Sequence, residues 1–136
     1  MKVQSIGRIS VFVLLIVGLL VPSSLLAADE IKIGVIYPLS GGAAAAGREL
    51  RAGAELAAEI ANNAMGDIDM AMARNEGIQS LGGAKIRLIF KDHEGNPTLG
   101  ADLAKKLILD DKVDGLLGCY HSSVTKTVSA VAEQYG

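Results

Sequence analysis

Cysteine is almost missing: Cys119 stands alone in 136 residues, so no disulfide can close within the chain, although export would permit one. Charge of one sign is also missing, with 13 Lys and Arg set against 15 Asp and Glu. A slightly acidic balance argues against nucleic acid as a partner and leaves no basic patch for a membrane surface. The longest apolar stretch, Ile9 to Leu26, is broken by Pro22-Ser23-Ser24. A membrane-spanning helix needs about 20 continuous apolar residues, so this stretch does not suit an anchor.

Three chemistries each lack a part. Gly42-x-x-x-x-Gly47 has the spacing of a phosphate-binding loop, but Arg48 and Glu49 follow where Lys and Ser or Thr are required, and an acid there repels phosphate. His121 beside Ser122 invites a hydrolase reading. The nucleophile elbow requires glycines two residues either side of the serine, and Tyr120 and Val124 stand there instead. Asp92, His93, Glu94, Cys119 and His121 are metal-ligand types on separate loops without compact spacing, so His93 and His121 read as polar loop residues. Neither catalysis nor a cofactor or metal is expected.

What is present begins with a leader. Lys2 and Arg8 precede the apolar stretch, and Ala27-Ala28 come before Asp29-Glu30. That is the layout of a secretory signal peptide, with cleavage expected after Ala28 and residues 29–136 as the mature part. Its removal takes away two bases and no acid, which lowers the net charge from −2 to −4. With no Cys at the cut, a lipid anchor is not expected, and the processed chain would not be membrane-embedded.

The mature part alternates strand and helix signals. Ile31 to Ile36 is a β-branched run ending at Tyr37-Pro38, and a small-residue loop, Ser40 to Gly47, follows. Ala-rich composition predicts a helix from Arg48 to about Asn63, with Leu50, Ala54, Ala57 and Ala61 on its inner face. Residues 65–83 read as irregular, with Met65, Met70 and Met72 covering an edge. Ala84 to Lys91 reads as the second strand, and Asp92 to Pro97 as a turn. Thr98 is expected to cap a helix through Leu109, with Leu103, Leu107 and Ile108 buried and residues 105–112 forming a solvated end. The pattern β-α-β-α-β-α implies an α/β fold, a parallel sheet with helices on both faces. Its three parallel strands with an open edge read as an incomplete domain.

The chain is organised around Val113 to Thr127. An apolar run ends at Gly118, and Ser122 and Ser123 open a segment with Val124, Val128 and Val131 at helical spacing. The reading is a third strand, a turn, and a helix capped by one of the serines, with Cys119 as a small buried residue. Hydroxyls, free backbone N–H groups and the positive end of the helix dipole together suit a carboxylate. The turn Cys119 to Ser123, including Tyr120 and His121, is therefore the expected ligand contact, at the sheet edge where parallel α/β folds bind ligands.

Four motifs keep their order and spacing: I-K-I-G-V-I-Y-P-L-S-G at 31–41, G-R-E-L-R-A-G-A-E-L-A at 47–57, D-H-E-G-N-P at 92–97 and V-D-G-L-L-G-C-Y-H-S-S-V-T at 113–125. In these the chain resembles the solute-binding proteins of amino-acid ABC importers, of the leucine/isoleucine/valine-binding type. Members of that family are much longer and close two α/β lobes on their ligand. The resemblance implies that residues 29–136 form the first part of the N-terminal lobe, in a periplasmic protein that serves an ABC permease and its ATPase. It places the serine that bonds the ligand carboxylate on Ser122, and the side-chain pocket along Ser40 to Gly47. Where branched-chain binders have an aromatic residue, Ala46 stands here, so a urea or short-amide ligand is the alternative. A family disulfide between the second and third loops falls on Gly95 and His121, and is therefore absent. A sensory ligand-binding lobe of a receptor is the alternative outside transport.

Overall fold

The computed structural model describes residues 30–136, so the expected leader lies outside the described residues. Three strands, β1 (Glu30–Tyr37), β2 (Lys85–Asp92) and β3 (Gly115–Gly118), form one parallel sheet in the order β2-β1-β3. The register sets Gly34 beside Ile89 and Leu116, and Val35 beside Phe90 and Leu117. Successive side chains of a strand point to opposite faces, so these two rows supply the two sides of the sheet.

Helices α2 (Pro97–Lys106) and α3 (Ser122–Tyr135) cover the first side. There Ile36, Ala104, Leu107, Cys119, Val124, Val128 and Val131 make one buried cluster, flanked by Ile89 and Leu116. A side chain at Gly34 would collide with Leu107 and Leu116, at 2.8 and 2.9 Å from its Cβ. Glycine here lets the helix layer sit close on the central strand. Leu107 is fully buried as the spacing predicts, while Leu103 and Ile108 are half-buried.

Helix α1 (Ala44–Asn62) covers the other side and begins four residues earlier than the sequence predicts. Ala44, Ala45 and Ala46 are strong helix formers, and Gly47 belongs to the helix rather than to the loop. A Cβ on Gly47 would run into the carbonyl of Pro38. Gly47, Ala58 and Ala61 are buried, with Ala54 half-buried between them, so a stripe of small residues faces inward. Leu50 and Ala57, expected inside, are exposed, because the close approach at Gly47 fixes the helix's rotation. The Arg51 guanidinium lies 4.5 Å over the Phe90 ring and pairs with Glu55.

The outer edge of β2 is partly closed by a side chain. Asn62 Nδ2 donates to the Ile86 carbonyl, and the Ile86 N–H donates to Asn62 Oδ1, both at 2.7 Å. One amide thus imitates a neighbouring strand at an otherwise open position. Residues 65–83 are irregular as expected, with short 3-10 turns at Ala71–Ala73 and Gln79–Leu81. Met70 and Met72 are exposed instead of covering an edge; Ala73 and Gly77 are the buried residues of that segment.

Two helix starts differ from expectation. Asn96, not Thr98, caps α2: its Oδ1 accepts from the Thr98 and Leu99 N–H groups, with Pro97 at the first helical position. At α3 neither serine is the cap. His121 holds the cap position with extended backbone, and its carbonyl accepts from the Val124 and Thr125 N–H groups. Ser122 and Ser123 are the first two helical residues. The π-helical turn Leu107–Asp111 that continues α2 is also less solvated than its charges imply, since half-buried Asp111 pairs with Lys91 at 3.1 Å.

Candidate functional site

With β1 in the middle, the chain first moves from β1 to β2, then crosses back to β3. The strand order therefore reverses between β1 and β3, the place where open parallel sheets hold ligands. Three loops meet beyond the carboxyl ends of the strands and enclose a cleft of about 220 Å³. The loop after β1 supplies Pro38, Ser40, Gly42 and Ala43, the loop after β2 supplies Glu94 and Gly95, and the turn after β3 supplies His121.

Asp92 ties the first two loops together. Its Oδ1 accepts from the Leu39 N–H at 2.8 Å and the Glu94 N–H at 2.9 Å. Burial pushes the carboxyl up, but the Ser40 hydroxyl and the N–H groups of Glu94, Leu39 and Ser40 outweigh it, and the group sits below its ordinary 3.8. A group held low in the folded state stabilises the fold above its unfolded pKa, and that contribution fades as pH falls through the lower folded value. Asp92→Asn is thus expected to lower stability by about 1 kcal/mol at pH 7, with a smaller difference in acid, where the carboxyl is protonated in the folded state as well. Urea midpoints at the two pH values measure this; equal losses at both would remove the charge from the account.

His93 ties the second loop to the third. The ring is wholly buried, its Nδ1 accepts from the Gly95 N–H at 2.9 Å, and its Nε2 lies 2.8 Å from the Cys119 carbonyl. With Nδ1 occupied as an acceptor, Nε2 is the nitrogen that carries the proton and donates. The reading of His93 as a polar loop residue is thereby corrected: it is an internal cross-brace. His121 packs edge-on against His93 at 5.3 Å and against Tyr120 at 5.1 Å. A Cβ on Gly95 would sit 3.8 Å from the His121 ring, so the two positions matched to the family disulfide are neighbours here without a bond. Cys119 is 2% exposed, and burial pushes its thiol up, which leaves it a packing residue and a poor nucleophile.

The residues singled out in the sequence fall into three groups. Ser40 and His121 line the cleft. Ser122 and Ser123 follow His121 directly, exposed at the start of α3, where the helix presents its free N–H groups. Tyr120 is 58% exposed with φ 78°, and Ala46 lies in the first turn of α1; neither lines the cleft, which Gly42 and Ala43 wall instead. Asp92, Glu94 and Gly95 carry no ligand-binding role in the sequence reading, which weighs the two acids only as metal ligands and Gly95 only as a disulfide position. The spacing of an acid two residues before the N–H it accepts is the signal that could have found Asp92.

A model of the "Periplasmic binding protein" family matches residues 30–136. Leu/Ile/Val-binding protein homolog 3 of Brucella melitensis biotype 1 is 33% identical over 107 residues, which are 79% of this chain and 25% of that protein. Among solved structures, the branched-chain amino acid transporter substrate binding protein LivJ from Streptococcus pneumoniae, in complex with isoleucine, is 29% identical with a TM-score of 0.62. The match covers 79% of this chain and 27% of that one. A solute binding protein of an ABC transporter from Rhodopseudomonas palustris, in complex with benzoate, is 27% identical with a TM-score of 0.57, over 78% of this chain and 25% of that one. The chain spans about a quarter of the length of the relatives it matches. No helix among the described residues is long and apolar enough to cross a membrane. Family model, relatives and sheet topology agree: the chain belongs to the periplasmic binding protein family.

Proposed function

We propose that this chain is the first part of the N-terminal lobe of an extracytoplasmic, non-catalytic substrate-binding component of an ABC importer. It holds a small carboxylate of the amino-acid type between two lobes and delivers it to a membrane permease driven by an ATPase. The observation that carries this reading is the start of α3 at the reversal of strand order, beside a cleft walled by all three loops. Isoleucine and benzoate, the ligands of two relatives, share a carboxylate and little else. A carboxylate is what a helix start with two hydroxyls is suited to receive.

Ser122 is the principal contact in this reading, supported by Ser123 and the backbone N–H groups, with Ser40 and His121, which line the cleft, around the rest of the ligand. Ser122→Ala in the full-length protein is expected to weaken binding by about 1.5–3 kcal/mol, as for a lost hydrogen bond to a charged group. That is roughly ten- to a hundredfold in affinity. Because Ser122 is not the helix cap, stability should stay within about 0.5 kcal/mol. Calorimetric titration of amino acids and short amides into wild type and variant tests this. Dissociation constants within twofold for both Ser122→Ala and Ser123→Ala would remove the serines from the site.

A further inference from the structure

The His93 ring has no place for a second proton. It is wholly buried, its Nδ1 accepts from the Gly95 N–H at 2.9 Å, and its Nε2 proton goes to the Cys119 carbonyl at 2.8 Å. Only the neutral ring satisfies both bonds, because a proton on Nδ1 sets one N–H against another. The Gly95 N–H has no lone pair with which to answer, so that bond must break before the proton enters. The neighbours do not offset a charge. From β1 comes Tyr37, whose carbonyl accepts from the His93 N–H at 3.2 Å. Asp92 and Glu94 flank the residue in the chain; Asp92 Oδ1 is taken by the Leu39 and Glu94 N–H groups, and Glu94 is exposed. The turn after β3 brings Cys119, Tyr120 and His121, and the His121 ring, 5.3 Å away, adds only a like charge in acid. From α2 the neighbour is Gly100, and beside it on α3 stands Val124, both without charge. Among the described residues no carboxylate bonds to the His93 ring. A buried imidazolium without a partner is costly.

We propose that His93 is an acid-sensitive latch on the cleft. When the ring takes up its second proton it leaves its seat, and the loop after β2 parts from the turn after β3. Both segments wall the cleft, the first through Glu94 and Gly95 and the second through His121. The direction follows from linkage: the unlatched ring binds one proton more than the latched one, so falling pH favours the open form and rising pH the closed one. Acid thereby loosens the grip on whatever the cleft holds. That consequence rests on the reading of the cleft as the ligand site, whereas the latch itself does not.

Amide hydrogen exchange of the full-length protein at about pH 7.5 and about pH 5, the range in which histidine changes charge, tests the latch. After correction for the intrinsic pH dependence of exchange, protection of the Gly95 N–H should fall about tenfold or more in acid. The Asp114 N–H, which donates to the Lys32 carbonyl at the opposite end of the sheet, should stay within about threefold. His93→Gln keeps a donor for the Cys119 carbonyl and takes up no proton, so its Gly95 protection, whatever its level, should be the same at both pH values. His121→Asn, the control for the other ring, should retain the fall. Affinity for L-isoleucine or benzoate should drop about fivefold or more in acid in the wild type. Gly95 protection unchanged in the wild type, or a fall that persists in His93→Gln, would overturn the latch. A fall in protection with unchanged affinity would keep the latch and remove the cleft as the ligand site.

Discussion

Gly47→Ala is expected to destabilise the protein by about 3 kcal/mol or more, at the upper end of what overpacking costs. A single methyl group does this because it meets backbone, not a movable side chain: the Pro38 carbonyl occupies the space a Cβ needs. Relief would require α1 to lift from the loop that carries Pro38 and Ser40, and that loop is one wall of the cleft. Gly53, on the same helix with open space around it, is the control. Gly53→Ala should be neutral or stabilising by up to about 1 kcal/mol, as expected for an exposed helical glycine. Urea denaturation of both variants measures the contrast. Equal midpoints would show that α1 does not press on the Pro38 backbone.

Replacing His93 by leucine should cost about 2–4 kcal/mol even though the volume is nearly kept. The Cys119 carbonyl and the Gly95 N–H would both lose their partner inside the structure, and unpaired buried polar groups cost about 1–3 kcal/mol each, less whatever relaxation recovers. His121→Leu, on the half-buried ring beside it, should cost less than about 1 kcal/mol. If the two variants unfold at the same urea concentration, His93 is not the brace described above. Loosening this brace should also disturb ligand binding, since it fixes the spacing of the second and third loops.

The strands were readable because their cause is local. Runs such as Ile31 to Ile36 and Ala84 to Lys91 carry the β-branched and alternating composition of a strand in the sequence itself, and their observed limits differ by a residue or so. The α/β class follows from their alternation with helices. What could not be read depends on contacts across the chain. Gly47 looks like a loop glycine until the Pro38 carbonyl is seen beneath it. His93 looks like a solvated turn residue until the Cys119 carbonyl, 26 residues away, supplies its partner.

The start of α3 shows the same limit at closer range. Ser122 and Ser123 are both good caps by residue type, and type alone cannot decide which residue keeps extended backbone. The structure gives that role to His121, whose ring is packed between His93 and Tyr120, and so pushes the serines one step into the helix. A capping serine spends its hydroxyl on its own helix, whereas these two are not the cap, which is what the proposed carboxylate contact requires of them.

The most direct test of the central claim is a crystal structure of the full-length protein with its amino-acid ligand bound. The ligand carboxylate should lie at the start of α3, with one oxygen within about 3 Å of Ser122 Oγ or of the Ser122 and Ser123 N–H groups. A ligand carboxylate held elsewhere, with the start of α3 facing only solvent, would contradict the account.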